Sequence, residues 1–282
     1  MGEIWGEAPR AVRYSSYVHL LCVCDPRHLM LPRSVTRLLK SLGRLRDPKP
    51  LSLDEWAEHH RPRVMADVQR VLPYIPDGSR FVDIGANVGL FTECILQERP
   101  GCEAVLFEPV QRYYERCAKR FEDNPRVKVI HAGLGAEAST ATIFKPRHNF
   151  GGNTIVRELF FDRSELAQLK TETPFDEEEV KIEVFSEVAD RLGIVDVSFV
   201  KTDAEGYDHA VLAGMHAWLA TQSMKPVILA ELLAEFYHPH WSDQAAALDG
   251  LTRVGYAECD LSQMEKIDDI LLFPSDYTQP EC

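Results

Sequence analysis

An acid and two glycines lie where a buried strand gives way to a helix, in the segment RFVDIGANVGLFT at 80–92. Glycine at Gly85 and Gly89 would let a ligand approach the backbone closely and would let the helix pack against the strand. A turn that binds a dinucleotide has no acid at the position of Asp83, because a carboxylate there would repel the diphosphate. The segment therefore predicts a ligand that carries a cationic amino group.

A second acid, Glu108 in VLFEP, ends the next predicted strand and lies nineteen residues after Gly89. A carboxylate at this place is expected to accept hydrogen bonds from the two hydroxyls of a ribose. S-adenosylmethionine carries an ammonium, a sulfonium and a ribose but no phosphate, so the two acids predict that it binds here. An NAD(P)-dependent oxidoreductase or nucleotide-sugar enzyme is one alternative, and a non-catalytic subunit that binds the cofactor is another.

Polar side chains also end a later predicted strand, VSFVKTD, where the chain continues as AEG. Ligands of open α/β sheets bind beyond the carboxyl ends of the strands, so these side chains are expected to face an acceptor molecule. We predict Asp203 and Glu205 as catalytic acids that take a proton or hold the acceptor, unless they cap the following helix. Lys201, two residues before Asp203 on the same side of the strand, would support catalysis by keeping this acid ionised.

Three carboxylates at neighbouring strand ends raise the question of a metal ion. If Asp203 and Glu205 converge with Glu231, which lies at the end of the strand PVILAEL, they would suit magnesium or a similar hard cation. The sequence does not show that they converge, so metal dependence is left open.

Histidines offer other candidates for the base that deprotonates an acceptor. We include His209, on the helix after KTDAEG, as a catalytic candidate, and His238 and His240 as alternatives to it. A zinc site needs more ligands than the HPH pair supplies. The loop HNFGGNTI, with the amides of Asn149 and Asn153, is a candidate cover for the acceptor.

The order of elements predicts the fold class. From residue 80 onward, short apolar strands alternate with helices, which is typical of a parallel sheet covered by helices on both faces. The segments GYAECDL and DDILLFPS predict an antiparallel hairpin at the end of the sheet. An insertion at about 134–196 separates the third and fourth strands, and residues 1–75 are interpreted as a mostly helical N-terminal extension that serves oligomerisation or covers the acceptor site.

Charge and cysteine content limit the partners. The chain has 282 residues and a formal net charge of −13, although residues 1–70 contain 12 Lys and Arg against 8 Asp and Glu. The acidic remainder would repel a polyanion, so no nucleic-acid partner is expected. Seven scattered cysteines and the lack of a signal or membrane-spanning pattern favour a cytoplasmic protein with no membrane partner. A homodimer is compatible with these features.

The motifs DIGANVG, VLFEPV, GGNTI and VKTDAEGYDHAVLAGM, followed by VILAEL, resemble the FkbM-type family of S-adenosylmethionine-dependent methyltransferases over about residues 78–275. The resemblance implies a class I methyltransferase (Rossmann-like) fold in a domain at 76–282, with a seven-stranded, mostly parallel sheet. It also implies methylation of a hydroxyl on a small molecule such as a natural product or a sugar. The segment FSEVADRL departs from the Thr-Leu-Asp segment that many members carry.

Carried over to this sequence, the resemblance also implies which residues contact the cofactor. The methionine end would lie against the first turn, the ribose against the second acid and the adenine against the segment around 131–134. The cofactor-binding residues implied or predicted are thus Asp83, Gly85, Asn87, Gly89, Glu108 and Leu134, with Asp203 between cofactor and acceptor.

Overall fold

The computed structural model describes residues 12–14, 51–146, 150–161 and 175–278. Within these ranges the strands are β1 (Val12–Tyr14), β2 (Arg80–Ile84), β3 (Glu103–Phe107), β4 (Val127–Ile130), β5 (Gly133–Gly135), β6 (Ser139–Pro146), β7 (Phe175–Val184), β8 (Val197–Thr202), β9 (Val227–Leu233) and β10 (Ile267–Leu272). The helices are α1 (Leu53–Val71), α2 (Leu90–Glu98), α3 (Gln111–Arg120), α4 (Glu158–Phe161), α5 (Phe185–Leu192), α6 (Asp208–Thr221) and α7 (Trp241–Arg253), with a 3₁₀ turn at Leu72–Tyr74.

Seven strands form the central sheet, in the order β4-β3-β2-β8-β9-β10-β1. The five strands from β4 to β9 run parallel, and β10 pairs antiparallel with both β9 and β1. Helices connect the parallel strands because a parallel pair needs a long crossover connection. The predicted fold class, a mostly parallel α/β sheet with helices on both faces, is confirmed.

The antiparallel edge differs from the prediction. The segment GYAECDL at 255–261 forms no strand; it contributes only an isolated bridge between Tyr256 and Pro274. Tyr256 is buried and its hydroxyl donates to the carbonyl of Pro226 (2.8 Å), so this apolar segment packs into the core by its side chains. The other edge of β10 pairs with β1, which comes from the extension that the sequence predicted to be mostly helical.

The insertion forms a second, smaller sheet in the order β5-β7-β6. Strand β7 pairs parallel with β5 and antiparallel with β6. The tip of the insertion and Asn149 lie outside the described residues, whereas Asn153 lies within them.

Alternate residues of each central strand face opposite sides, so the sheet separates two apolar clusters. On β2, Phe81 packs into the cluster beneath α1 and α2, while Val82 and Ile84 pack into the cluster beneath α5, α6 and α7. Asp83 and, on β8, Lys201 share the α1 side with Phe81 because side chains alternate along a strand. This alternation puts two charged residues under a helical layer.

Helix α1 belongs to the predicted extension and begins at a capping box. Ser52 Oγ accepts from the amide of Glu55 (3.2 Å), and the Glu55 carboxylate accepts from the amide of Ser52 (2.8 Å). Arg61 of α1 then pairs with Glu93 of α2 (2.7 Å), which fixes α1 against the sheet. The division of the chain at residues 75 and 76 stays a prediction. Among the described residues, no helix is both long and apolar enough to cross a bilayer.

Candidate active site

A cavity of about 330 Å³ lies at the carboxyl ends of β2, β3, β8 and β9. Its walls come from the first turn, the segment after β3, strand β5, the loop before α4, the KTDAEG segment and one side of α1. The volume lies in the range of small-molecule sites, and the position is where open α/β sheets bind ligands.

The two glycines of the first turn allow close packing of backbone segments. Gly85 has φ +74°, and a Cβ on it would lie 2.0 Å from the carbonyl oxygen of Asp203. Gly89, with φ +77°, precedes α2, and a Cβ there would lie 2.7 Å from the ring of Phe121. Gly85 therefore permits contact between the ends of β2 and β8. This packing requires a glycine at position 85, in addition to the close approach of a ligand that the sequence predicted.

Asn87, the third predicted residue of this turn, also has a left-handed backbone, with φ +51°. Its Nδ2 donates to the carbonyl of Phe150 (2.7 Å), and its Oδ1 accepts from the amide of Val88 (2.8 Å). The side chain thus links the first turn to the loop that covers the cavity.

Glu108 lines the cavity and is 4% exposed. One of its oxygens accepts from the amide of Asn87 (2.7 Å) and the other from the amide of Val110 (2.8 Å). Burial raises its pKa to about 7, although the two amide hydrogen bonds act in the opposite direction. Each carboxylate oxygen keeps one acceptor position, so Glu108 can bind two hydroxyls of a ligand.

Asp83 occupies a different place from the one predicted. It is fully buried and does not line the cavity, because its oxygens accept from Thr92 Oγ1 (2.8 Å) and pair with Lys201 Nζ (3.4 Å). The geometry thus gives Asp83 the role of counter-ion to Lys201 and does not support its direct contact with the ammonium of a ligand.

Lys201 lines the cavity between two acids, with its ammonium 3.4 Å from Asp83 and 3.2 Å from Asp203. Burial alone would lower the pKa of Lys201, but the carboxylates of Asp203 and Asp83 outweigh this effect and raise it. Lys201 is therefore a permanent cation that holds Asp203 at the cavity wall, which agrees with its predicted supporting role.

A fourth acid, Asp208, was missed by the sequence reasoning. It is 1% exposed, and its carboxylate accepts from Thr202 Oγ1 (2.7 Å) and from the amide of Ala204 (3.1 Å). Burial raises its pKa to about 7. Asp208 thus closes the KTDAEG turn, and no side chain caps the start of α6. Its sequence position gave one signal, an acid at the first residue of a predicted helix.

The acids proposed as metal ligands lie around the same cavity. Glu205 has φ +50° and its carbonyl accepts from Thr154 Oγ1 (2.6 Å), while Glu231 is 2% exposed and lies opposite Asp269 across β9 and β10. Burial raises the pKa of Glu231, and the negative charges of Glu205 and Asp203 raise it further. Over the described part of the chain, no group of three or more His, Cys, Asp or Glu residues is arranged to hold a metal ion.

Leu134 lines the cavity as predicted, whereas the predicted histidines lie elsewhere. His209 is 7% exposed and is outside the cavity wall, where its ring packs edge-on against His238, with the ring centroids 4.9 Å apart. The Nδ1 of His238 accepts from the amide of His240 (2.9 Å). Burial lowers the pKa of His209. Its predicted role as a base therefore has no support from this geometry.

One side of α1 forms a cavity wall; this helix belongs to the extension that the sequence predicted either to serve oligomerisation or to cover the acceptor site. The lining residues of this helix are Trp56, His60, Arg63, Val64 and Asp67. Their spacing of four, three, one and three places them on one helical face. This spacing was visible in the sequence, but nothing there showed which surface the face meets.

A parallel sheet with ligand-binding turns at its carboxyl end and an acid at the end of the second parallel strand is the arrangement expected of a class I methyltransferase. A family profile described as "Methyltransferase FkbM domain" matches residues 83–277. The chain belongs to the FkbM methyltransferase family.

A curated relative, "Methyltransferase 1" of Beauveria bassiana (strain ARSEF 2860), is 31% identical over 159 residues, which are 51% of this chain and 61% of the relative. The chain therefore covers about three fifths of the curated relative that it matches.

Solved structures with a similar arrangement include fibrillarin from Aeropyrum pernix, at 11% identity and a TM-score of 0.40, covering 70% of this chain and 66% of that one. A putative O-methyltransferase from Nostoc punctiforme PCC 73102 has 11% identity and a TM-score of 0.40, and the match covers 78% of this chain and 58% of that one. Similarity at this level carries no information about the acceptor.

The contact at Gly85 leads to a stability prediction with an internal control. Gly78 has a similar φ of +82°, but a Cβ there would meet nothing within 4 Å. We expect Gly78→Ala to lower the free energy of unfolding by about 1–2 kcal/mol, the cost of left-handed backbone. Gly85→Ala should cost about 1–3 kcal/mol more, because its methyl group overlaps the Asp203 carbonyl. Urea unfolding measures both values, and equal losses would contradict this account.

Proposed function

We propose that the protein transfers a methyl group from S-adenosylmethionine to a hydroxyl of a small molecule, such as a natural product or a sugar. The observation that carries the proposal is that one cavity joins two differently built sides. Glu108 and the first turn form the side that suits a nucleoside. Helix α1 and the ends of β8 and β9 form the other side, where the acceptor binds.

The residues of the nucleoside side fit S-adenosylmethionine. Glu108 is a buried carboxylate with one acceptor position left on each oxygen, and a ribose offers two hydroxyl donors. Gly133 and Leu134 line the cavity beside it and would contact the adenine. The acidic lining also suits the donor, which carries an ammonium and a sulfonium.

The bound donor supplies a methyl group on a positively charged sulfur, so the chain's main task is to align an acceptor oxygen with it. Such positioning is worth about 7–11 kcal/mol of the barrier. Asp203 is partly exposed at the cavity and is held by Lys201. We assign to Asp203 the orientation of the acceptor hydroxyl or of the donor's ammonium, because its pairing with Lys201 holds its carboxylate at the cavity wall.

The charge of the cavity wall indicates which acceptors are excluded. Six acids line the cavity together with the two cations Lys201 and Arg63; they are Asp67, Glu108, Asp203, Glu205, Glu231 and Asp269. Water-poor cavities strengthen repulsion between like charges. We therefore infer an uncharged or cationic acceptor.

The function is tested by two measurements on the full chain. Calorimetry should show binding of S-adenosylmethionine and S-adenosylhomocysteine, and tight binding of NADPH in their place would favour the oxidoreductase alternative. Release of S-adenosylhomocysteine is then measured with a panel of phenols, aliphatic alcohols and sugars. Binding of the cofactor without release for any compound would favour a non-catalytic subunit.

The acceptor charge is tested by matched pairs within the panel. Catechol is compared with 3,4-dihydroxybenzoate, and glucose with glucose 6-phosphate. We expect kcat/KM for the anionic member of a pair to be at least about tenfold lower, which corresponds to about 1.4 kcal/mol of repulsion. Faster turnover of an anionic member would show that Arg63 or Lys201 receives the acceptor.

The role of Glu108 is tested by Glu108→Gln, which keeps the shape but removes the charge. Hydrogen bonds to a charged group contribute about 1.5–3 kcal/mol, so the Kd for S-adenosylmethionine at pH 8 should rise about tenfold to hundredfold. Glu122→Gln, at an exposed position, is the matched control and should leave the Kd unchanged. An unchanged Kd in Glu108→Gln would remove Glu108 from the cofactor site.

The same residue predicts a pH dependence of cofactor binding. Since burial raises the pKa of Glu108 to about 7, the carboxylate is mostly protonated at pH 6 and mostly ionised at pH 8. Only the ionised form accepts from both hydroxyls, so wild-type affinity should be about tenfold weaker at pH 6 than at pH 8. Calorimetry at the two pH values measures this change, and it should be smaller in Glu108→Gln.

A further inference from the structure

We propose that His60, on helix α1, is the catalytic base that takes the proton of the acceptor hydroxyl. This inference rests on the proposed function and deepens it, because it identifies the residue that activates the acceptor. His60 lies outside residues 83–277, the part of the chain that the family profile matches.

The first observation is the unusual face that α1 turns toward the cavity. A helix that covers a sheet normally buries apolar residues on its inner face. Here three of the five cavity-lining residues, His60, Arg63 and Asp67, are ionisable. The apolar packing of α1 is supplied by its other residues, including the buried Ala57, Val68 and Val71. This polar face of α1 therefore borders the cavity in which an acceptor would bind.

The second observation fixes the proton on the His60 ring. Nδ1 of His60 lies 2.8 Å from the carbonyl oxygen of Trp56. A carbonyl oxygen can only accept, so Nδ1 must carry the hydrogen of this bond. In the neutral ring the other nitrogen, Nε2, then holds a lone pair, which is the form that a general base requires. Among the described residues, Nε2 has no hydrogen-bond partner.

The third observation is a chain of contacts that links the His60 ring to the first turn, on the nucleoside side of the cavity. The His60 ring stacks on Trp56, with centroids 4.3 Å apart and planes at 29°. Trp56 packs edge-on against Phe150 at 6.4 Å, and the Phe150 carbonyl accepts from Asn87 of the first turn. A short chain of contacts thus connects the histidine to the turn that binds the cofactor.

Other polar groups of the cavity are less suited to this task. Lys201 is a cation and has no lone pair to offer. Asp203 is paired with Lys201, and Glu108 lies on the nucleoside side of the cavity, where its remaining acceptor positions suit the ribose. His209, the base predicted from the sequence, does not line the cavity.

The proposed step is balanced as follows. The acceptor oxygen forms a bond to the methyl carbon while its O–H bond breaks, and the proton passes to Nε2 of His60. The methyl–sulfur bond breaks with its electron pair left on the sulfur, which becomes the neutral thioether of S-adenosylhomocysteine. The imidazolium then returns its proton to water, with the Trp56 carbonyl still accepting from Nδ1.

The surroundings keep the ring neutral at pH 7. Burial lowers the pKa of His60, the bond to Trp56 offsets part of this change, and the charges of His59 and Arg63 lower it further. The charged residues of α1 that line the cavity beside His60 are Arg63 and Asp67.

From the sheet and its loops, Lys201, Asp203, Glu205, Glu231 and Asp269 line the same cavity. A base is active when deprotonated, so kcat at saturating S-adenosylmethionine should fall as the pH decreases through a midpoint below 6.5.

The test compares His60→Asn with His59→Asn in the full chain. Asparagine retains an N–H that can donate to the Trp56 carbonyl but lacks the lone pair of Nε2. His59 is exposed on the same helix and is absent from the cavity wall, so it is a matched control. Release of S-adenosylhomocysteine is measured for both with the best compound of the hydroxyl panel.

We expect His60→Asn to lower kcat by about 10²- to 10⁴-fold and to lose the acid limb of the pH profile, with the Kd for S-adenosylmethionine unchanged. His59→Asn should keep the kcat of the wild type on the plateau of the pH profile, and only the midpoint of its acid limb should move upward, because the charge of His59 no longer lowers the pKa of His60. Equal kcat values in the two variants would overturn the role of His60 and leave the proposed function standing. Failure of the wild type with every compound would instead overturn the proposed function, and the role of His60 with it.

A measurement on the wild type covers the case in which His60→Asn does not fold. Nitrogen-15 NMR of the histidine rings at pH 7.5 reports which ring nitrogen of His60 carries the proton. The signals of His60 are assigned by through-bond connectivity, or by their disappearance in any variant at this position that folds. Protonation at Nδ1 alone supports the proposal. Protonation at Nε2 overturns it, because the lone pair would then face the Trp56 carbonyl.

Discussion

A single buried ammonium group, that of Lys201, connects the two strands on which the site is built. Lys201 lies on β8 and is in register with Asp83 on the neighbouring strand β2. Its other counter-ion, Asp203, is the residue that directly follows β8. A buried cation is tolerated only when it is paired and hydrogen-bonded, so both acids are needed to hold it. The pairing fixes Asp203 next to the first turn, where Gly85 leaves room for its carbonyl.

Acids of the same chemical type take different roles here because their surroundings differ. Asp83 and Asp203 both pair with the ammonium of Lys201. Glu108 and Asp208 are buried with only neutral hydrogen-bond donors against them, and burial raises the pKa of each to about 7. Glu108 is thereby able to respond to a ligand near neutral pH, while Asp208 closes a turn.

The two sides of the cavity come from different parts of the chain. The family region at 83–277 contains the turn and Glu108, which form the side proposed for the nucleoside, and also the KTDAEG segment at the end of β8. Helix α1 precedes this region and forms part of the opposite wall. Under the proposed function, an acceptor wall on an element outside the shared domain allows the acceptor to change without disturbing the donor site, in line with sites being built onto common folds.

The sequence by itself determined the fold class, the succession of the parallel strands along the chain, and the DIGANVG and KTDAEG motifs. These depend on local patterns: apolar runs, glycine at turns and acids at strand ends. It also placed Glu108 and Leu134 at the cavity. It did not determine the partner of Asp83, the strand that covers the edge of β10, the position of His209 or the cavity wall on α1. Each of these depends on which surfaces meet across more than a hundred residues or between separate elements, and only the packing of the folded chain decides that.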